Sequence, residues 1–125
     1  MFEQATTRTE RNVLTDWVLR AGIALAFLVF GWDKFPSAPD AEWVRFFAQI
    51  GWGQWFRYVT GVTEMLGAVL VLIPWTVTAG LALLACTMAG AALIHIFVMR
   101  HPFNAILPLA FLAVLIAFWR SRGED

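Results

Sequence analysis

Four ionisable side chains stand inside stretches of the sequence that are otherwise apolar: Arg20, Lys34, Glu64 and His95. A charge in hydrocarbon costs at least ~2.5–3.5 kcal/mol, so each of these residues needs a partner or a task. Glu64 and His95 are the types that exchange protons, and they are the candidate catalytic residues. Arg20 and Lys34 are the types that hold a carboxylate ionised or donate to a carbonyl oxygen. An acid, an imidazole and two cations have the makings of a polar pocket for a small hydrogen-bonding molecule.

Their spacing places them on particular helix faces. Arg20, Ala24, Phe27, Gly31 and Lys34 advance by four, three, four and three, which is one seam of a helix. Gly61, Glu64 and Gly67 share a second face, where the glycines let a neighbouring helix come close. Met88, Ala91 and His95 share a third, and Ala82, Cys86 and Gly90 form a small-residue stripe expected to pack tightly. At ~1.5 Å of rise per residue, Lys34 lies at the mouth of such a pocket, with His95 within two turns of it. Glu64 lies near the upper middle and Arg20 is deepest. The expected ion pair is Arg20 with Glu64. Each residue also has a plainer reading. Arg20 and Glu64 can serve only to fix helix register, Lys34 can snorkel to the interface, and His95 can bond a neighbouring helix.

The elements that would position them follow from composition. Hydrophobic residues make up 60% of the 125 and charged residues 14%, too few charges to cover a soluble domain of this size. Apolar runs of bilayer length fall at about 13–32, 56–73, 77–99 and 105–119. The stretch from Ala41 to Ile50 is shorter and amphipathic, with Trp43, Phe46, Phe47 and Ile50 on one face and Asp40 placed to cap it, so it lies in the membrane interface or folds over the bundle mouth. Trp43, Trp52, Trp55 and Tyr58 make an aromatic belt on that side. The predicted fold is all-α: one domain over 1–125, a four-transmembrane-helix bundle with a short amphipathic interfacial helix between helices 1 and 2. Asp16 and Arg20 interrupt the first apolar run, so it reads as a retained helix rather than a signal peptide.

Several functions are excluded. The formal net charge is +0, without the basic surplus that nucleic acid requires. Cys86 is the single cysteine, which rules out an internal disulfide, a CxxC redox pair and a cysteine-rich metal site. His95 and His101 lie six apart at one helix end and cannot clamp the two faces of a haem. No metal site and no intrinsic cofactor are expected. Arg8, Arg11, Arg120 and Arg122 fall on the side of the termini, against Lys34, Arg45, Arg57 and Arg100 on the other, and Arg20 tips the balance toward cytoplasmic termini.

Leu19-Arg20-Ala21-Gly22, continuing through Phe27 to Gly31-Trp32-Asp33-Lys34-Phe35, resembles the opening signature of the DoxX family. Tyr58 to Gly67, with Glu64 between glycines, is similar to that family's second-helix motif, and Met88 with His95 to its third. The resemblance runs from about Leu14 to Trp119. It implies a four-helix protein of the bacterial cytoplasmic membrane, and some relatives belong to quinone-linked or oxidative-stress redox systems. It also implies that Arg20, Lys34, Glu64 and His95 are the characteristic polar positions. The expectation is a subunit of a quinone-linked membrane redox system, with a bound quinone in the polar pocket and a partner subunit carrying the electrons. A non-catalytic accessory or assembly subunit and a small oligomeric transporter stand as alternatives. The sequence leaves open whether the chain is itself an enzyme.

Overall fold

The structure, a computed structural model, describes residues 2–123, with side chains from 13 to 122. Among the described residues there are five α-helices and no strand. They are α1 (Phe2–Trp32), α2 (Glu42–Ile50), α3 (Trp55–Leu72), α4 (Val77–Leu93) and α5 (Ile106–Gly123). Four stretches are long and apolar enough to cross a bilayer: Val13–Trp32, Trp55–Leu72, Pro74–Val98 and Pro102–Arg122.

α1 packs on α3, α3 on α4 and α4 on α5, the first pair joined through the long segment that holds α2 and the other two across short turns. α5 closes the ring on α1 through long side chains, with the Phe111 ring edge-on to both Phe27 and Phe30. Phe27, Ala68, Val71, Leu84 and Leu115 lie at the centre with almost no exposure. Lipid is as apolar as a leucine side chain, so close packing rather than the hydrophobic effect must hold these helices together.

Two glycine crossings supply that packing. A Cβ at Gly31 would lie 2.7 Å from the Gly61 carbonyl oxygen, and one at Gly80 would lie 2.8 Å from the Gly67 carbonyl oxygen. α1 thus touches α3 backbone to backbone near one end, and α3 touches α4 near the other. The Ala82–Cys86–Gly90 stripe, expected to pack, faces outward instead. Ala82 and Cys86 are exposed, and nothing lies near a Cβ placed on Gly90. The buried line of α4 is Leu81, Leu84, Met88 and Ala92, on the face where Gly80 meets α3.

The third span does not stay α-helical to its end. Ile94–Val98 forms a π-helical turn, with Met99 N–H donating to the Ile94 carbonyl at 2.8 Å. Single π-turns inside spans favour functional sites because they shift one residue off the helical register. Here that segment carries His95. The chain then turns through Arg100, whose φ of 56° is left-handed.

α2 begins at Glu42 after Ala41, which has no side-chain cap, so Asp40 does not take the capping role expected of it. The helix ends at Gly51, φ 84°, and the link to α3 passes through Gly53, φ 100°. Only glycine takes such angles without cost, and the sharp reversal lets α2 fold back over the bundle end. Phe47 and Ile50 are its buried anchors.

Candidate functional site

The seam predicted on α1 is real: Arg20, Ala24, Phe27, Gly31 and Lys34 are all buried. On α3 the corresponding line is Arg57, Gly61, Glu64, Ala68 and Val71. The Gly31–Gly61 crossing sets the register between them. Helical side chains lean toward their own N-termini, and in antiparallel neighbours that tilt points Lys34 and Glu64 at each other. The Lys34 ammonium reaches the Glu64 carboxylate at 2.7 Å, with side-chain exposures of 6% and 2%. Lys34 also donates to the Phe30 carbonyl at 3.2 Å, and its ammonium sits 4.2 Å from the Trp43 ring centre. Lys34 is therefore a buried partner rather than a snorkelling residue at the interface.

The expected Arg20–Glu64 pair does not form. Fourteen residues separate Arg20 from Lys34, about 21 Å along the helix, and this puts Arg20 at the other end of the bundle. There its Nε and Nη2 donate to the Val71 and Leu72 carbonyls at 2.8 and 2.9 Å. The last carbonyls of a helix have no partners of their own and carry its negative dipole end, so a guanidinium from α1 satisfies both needs. Asp16 bridges Arg20, at 3.4 Å, to Arg122 of α5.

His95 stands on the same side of the bundle as the Lys34–Glu64 pair but joins it through aromatic neighbours. Its imidazole lies 5.1 Å, centre to centre, from the ring of Phe46, and Phe46 in turn packs 5.4 Å from Trp43. Its Nδ1 is buried with no hydrogen-bond partner among the described residues. A buried polar atom left unpaired costs about 1–3 kcal/mol, and such atoms call for an explanation.

One part of the site went unnoticed in the sequence. Arg57 is fully buried at the start of α3. It donates to the carbonyls of Lys34 and Pro36, the latter at 3.0 Å, and to the Gln54 side-chain oxygen at 2.7 Å. Gln54 in turn donates to the Val44 carbonyl of α2 at 3.0 Å. Arg57 thus ties the end of α1 and the following loop to α3, and Gln54 ties α2 to the same point. The signal was present: Arg57, Gly61 and Glu64 step by four and three on one seam. Of the two placements open to the amphipathic helix, the structure takes the one over the bundle mouth: Trp43 covers the ammonium of Lys34 and Phe46 the ring of His95.

The fold and the site define a multi-pass integral membrane protein whose helices enclose a buried lysine–glutamate pair under an amphipathic cover helix. The chain belongs to the DoxX-like family, whose model matches residues 18–118. That interval begins just before Arg20 and takes in Lys34, Glu64 and His95. No curated protein and no solved structure compared with the chain matches it.

Proposed function

We propose that the chain is the membrane-embedded binding subunit of a quinone-linked redox system, holding a quinone or quinol headgroup beneath α2. The observation that carries this reading is the His95 Nδ1, buried, unpaired and roofed by an aromatic ring on the same side of the bundle as an internally neutralised ion pair. A neutral imidazole serves both redox forms of such a ring. It donates to a carbonyl oxygen in one tautomer and accepts from a hydroxyl in the other. The aromatic side chain that α2 lays over the imidazole fills the space a flat conjugated ring needs. The electrons belong to a partner subunit carrying a redox cofactor, and the work of this chain is to hold and orient the headgroup. The termini face the cytoplasm in this arrangement, with Arg20, Arg120 and Arg122 gathered at their end.

Native mass spectrometry of the protein released gently from its own membrane tests the reading. A quinone-type lipid retained by the wild type and lost from His95→Phe supports it. A bare protein whose partner subunits are the same in both forms overturns it, in favour of an accessory subunit whose charges serve only to join helices.

A further inference from the structure

We infer that Phe46 is a stand-in for the ligand: a flat ring bearing a carbonyl or hydroxyl oxygen takes its place on the imidazole of His95, and α2 swings outward to admit it. This rests on the binding role proposed above and adds where the ring sits and what yields to it.

Three features of the molecule converge on this exchange. The first is chemical. Phe46 covers His95 closely, at 5.1 Å between ring centres, but a phenyl ring offers nothing to the buried Nδ1. A ring of similar size with an oxygen on its edge would fill the same space and also make the missing hydrogen bond. The second is mechanical. α2 has nine residues and is followed by a link whose two glycines, Gly51 and Gly53, both hold left-handed backbone angles. Ahead of it, residues 33–41 include Pro36 and Pro39 and form no helix. The anchors of α2 are side chains, namely Phe47, Ile50 and the Trp43 ring on the Lys34 ammonium, together with one hydrogen bond from Gln54. The third is positional. His95 sits in the π-turn at the end of its span, and nearby Phe97 is 71% exposed on the outside. A ligand dissolved in the bilayer therefore has an approach along this turn without crossing water.

In the closed state the bound ring competes with Phe46, so the apparent affinity is reduced by the fraction of molecules in which α2 is open. Removing the Phe46 ring should therefore strengthen binding. A platform role for Phe46, in which the ligand stacks on it, requires the opposite.

The test is binding of a decyl-substituted benzoquinone to the full chain in lipid nanodiscs, compared for wild type, Phe46→Ala, Phe46→Leu, His95→Phe and the Phe46→Ala/His95→Phe double variant. The expected result is a Kd about three- to ten-fold lower for Phe46→Ala, with Phe46→Leu between it and wild type. His95→Phe should weaken binding about ten-fold, the scale of one hydrogen bond, and the double variant should regain over His95→Phe the factor that Phe46→Ala gains over wild type, because freeing the space and pairing Nδ1 are separate terms. Hydrogen exchange across α2 in the unliganded variants shows whether the helix remains formed, and Phe46→Leu keeps the comparison valid where Phe46→Ala loosens it. A Kd for Phe46→Leu and Phe46→Ala that rises or stays level, with wild type binding through His95, overturns the exchange and leaves the binding role standing. Absence of binding to wild type overturns both.

Discussion

At the long-loop end of the bundle an ammonium and a carboxylate meet at 2.7 Å with almost no exposure, roofed by a helix. At the terminal end a carboxylate with 23% of its side chain exposed sits between two guanidiniums, one of them 30% exposed. Both clusters join helices: Lys34–Glu64 links α1 to α3, and Asp16 with Arg20 and Arg122 links α1, α3 and α5. They differ in what surrounds them. At the terminal end only Arg20 is deeply buried, and it is used up on backbone carbonyls that any helix end leaves open. At the long-loop end both charges are out of reach of water, so the arrangement holds only while both partners are present. A cluster built only to join helices needs no more than the first design. The second, with a roof and an unpaired imidazole on the same side of the bundle, is the one on which the proposed binding role rests.

The largest effect should come from breaking the buried pair one partner at a time. Lys34→Met or Glu64→Leu alone leaves one charge uncompensated and should cost about 3–5 kcal/mol. The double variant Lys34→Met/Glu64→Leu should recover most of that loss, read as thermal unfolding of the detergent-solubilised protein. A double variant as unstable as either single one would mean that the pair supplies net stability rather than mutual neutralisation.

Next comes Arg57→Leu. It strips the donor from the Lys34 and Pro36 carbonyls and from Gln54 at once, and should cost about 2–3 kcal/mol. Its signature is local: protease cleavage within residues 33–41 should accelerate before the bundle melts. Cleavage that rises only together with global unfolding would deny Arg57 its role as the clasp of that loop.

A glycine pair separates packing from propensity. Gly31→Ala forces a methyl against the Gly61 carbonyl and should destabilise by about 1–3 kcal/mol. Gly90→Ala meets nothing and should be neutral, or stabilising by up to about 1 kcal/mol through helix propensity. Equal effects in unfolding assays would remove the backbone crossing as the element that sets the α1–α3 register.

That register explains how far the sequence could be read. The spans, the amphipathic α2 and the buried seam through Arg20, Phe27 and Lys34 follow from period and apolarity alone, and all appear in the fold. Pairing is a different kind of information. Periodicity says which residues share a face but not which residue of the next helix stands opposite. Gly31 and Gly61 held that answer: once they touch, Lys34 falls beside Glu64 and Arg20 beside the end of α3. The partners of Arg20 are main-chain carbonyls, which carry no side-chain signature, so Glu64 looked like its only choice. The roof stayed one of two readings for a similar reason. An aromatic at a membrane interface and an aromatic folded over a lysine have the same sequence, and the left-handed turn at Gly51–Gly53 decides between them.

The smallest effect should lie at the terminal end. Asp16→Asn removes a carboxylate that water already reaches, and its two guanidinium partners lose little. Arg20 keeps the Val71 and Leu72 carbonyls and the Trp17 ring at 3.8 Å, and Arg122 is partly solvated. The loss should be about 0.5–1 kcal/mol at low ionic strength. It should shrink further as salt rises past about 0.15 M, where exposed pairs are screened within some 8 Å. Thermal unfolding of wild type and Asp16→Asn at two salt concentrations measures both quantities, with Glu64→Leu as the buried comparison. The Glu64→Leu deficit should not move with salt, because ions cannot enter beneath α2. A salt-dependent deficit at both ends would mean that the roof admits water, and the contrast between the two clusters would then reduce to one of depth.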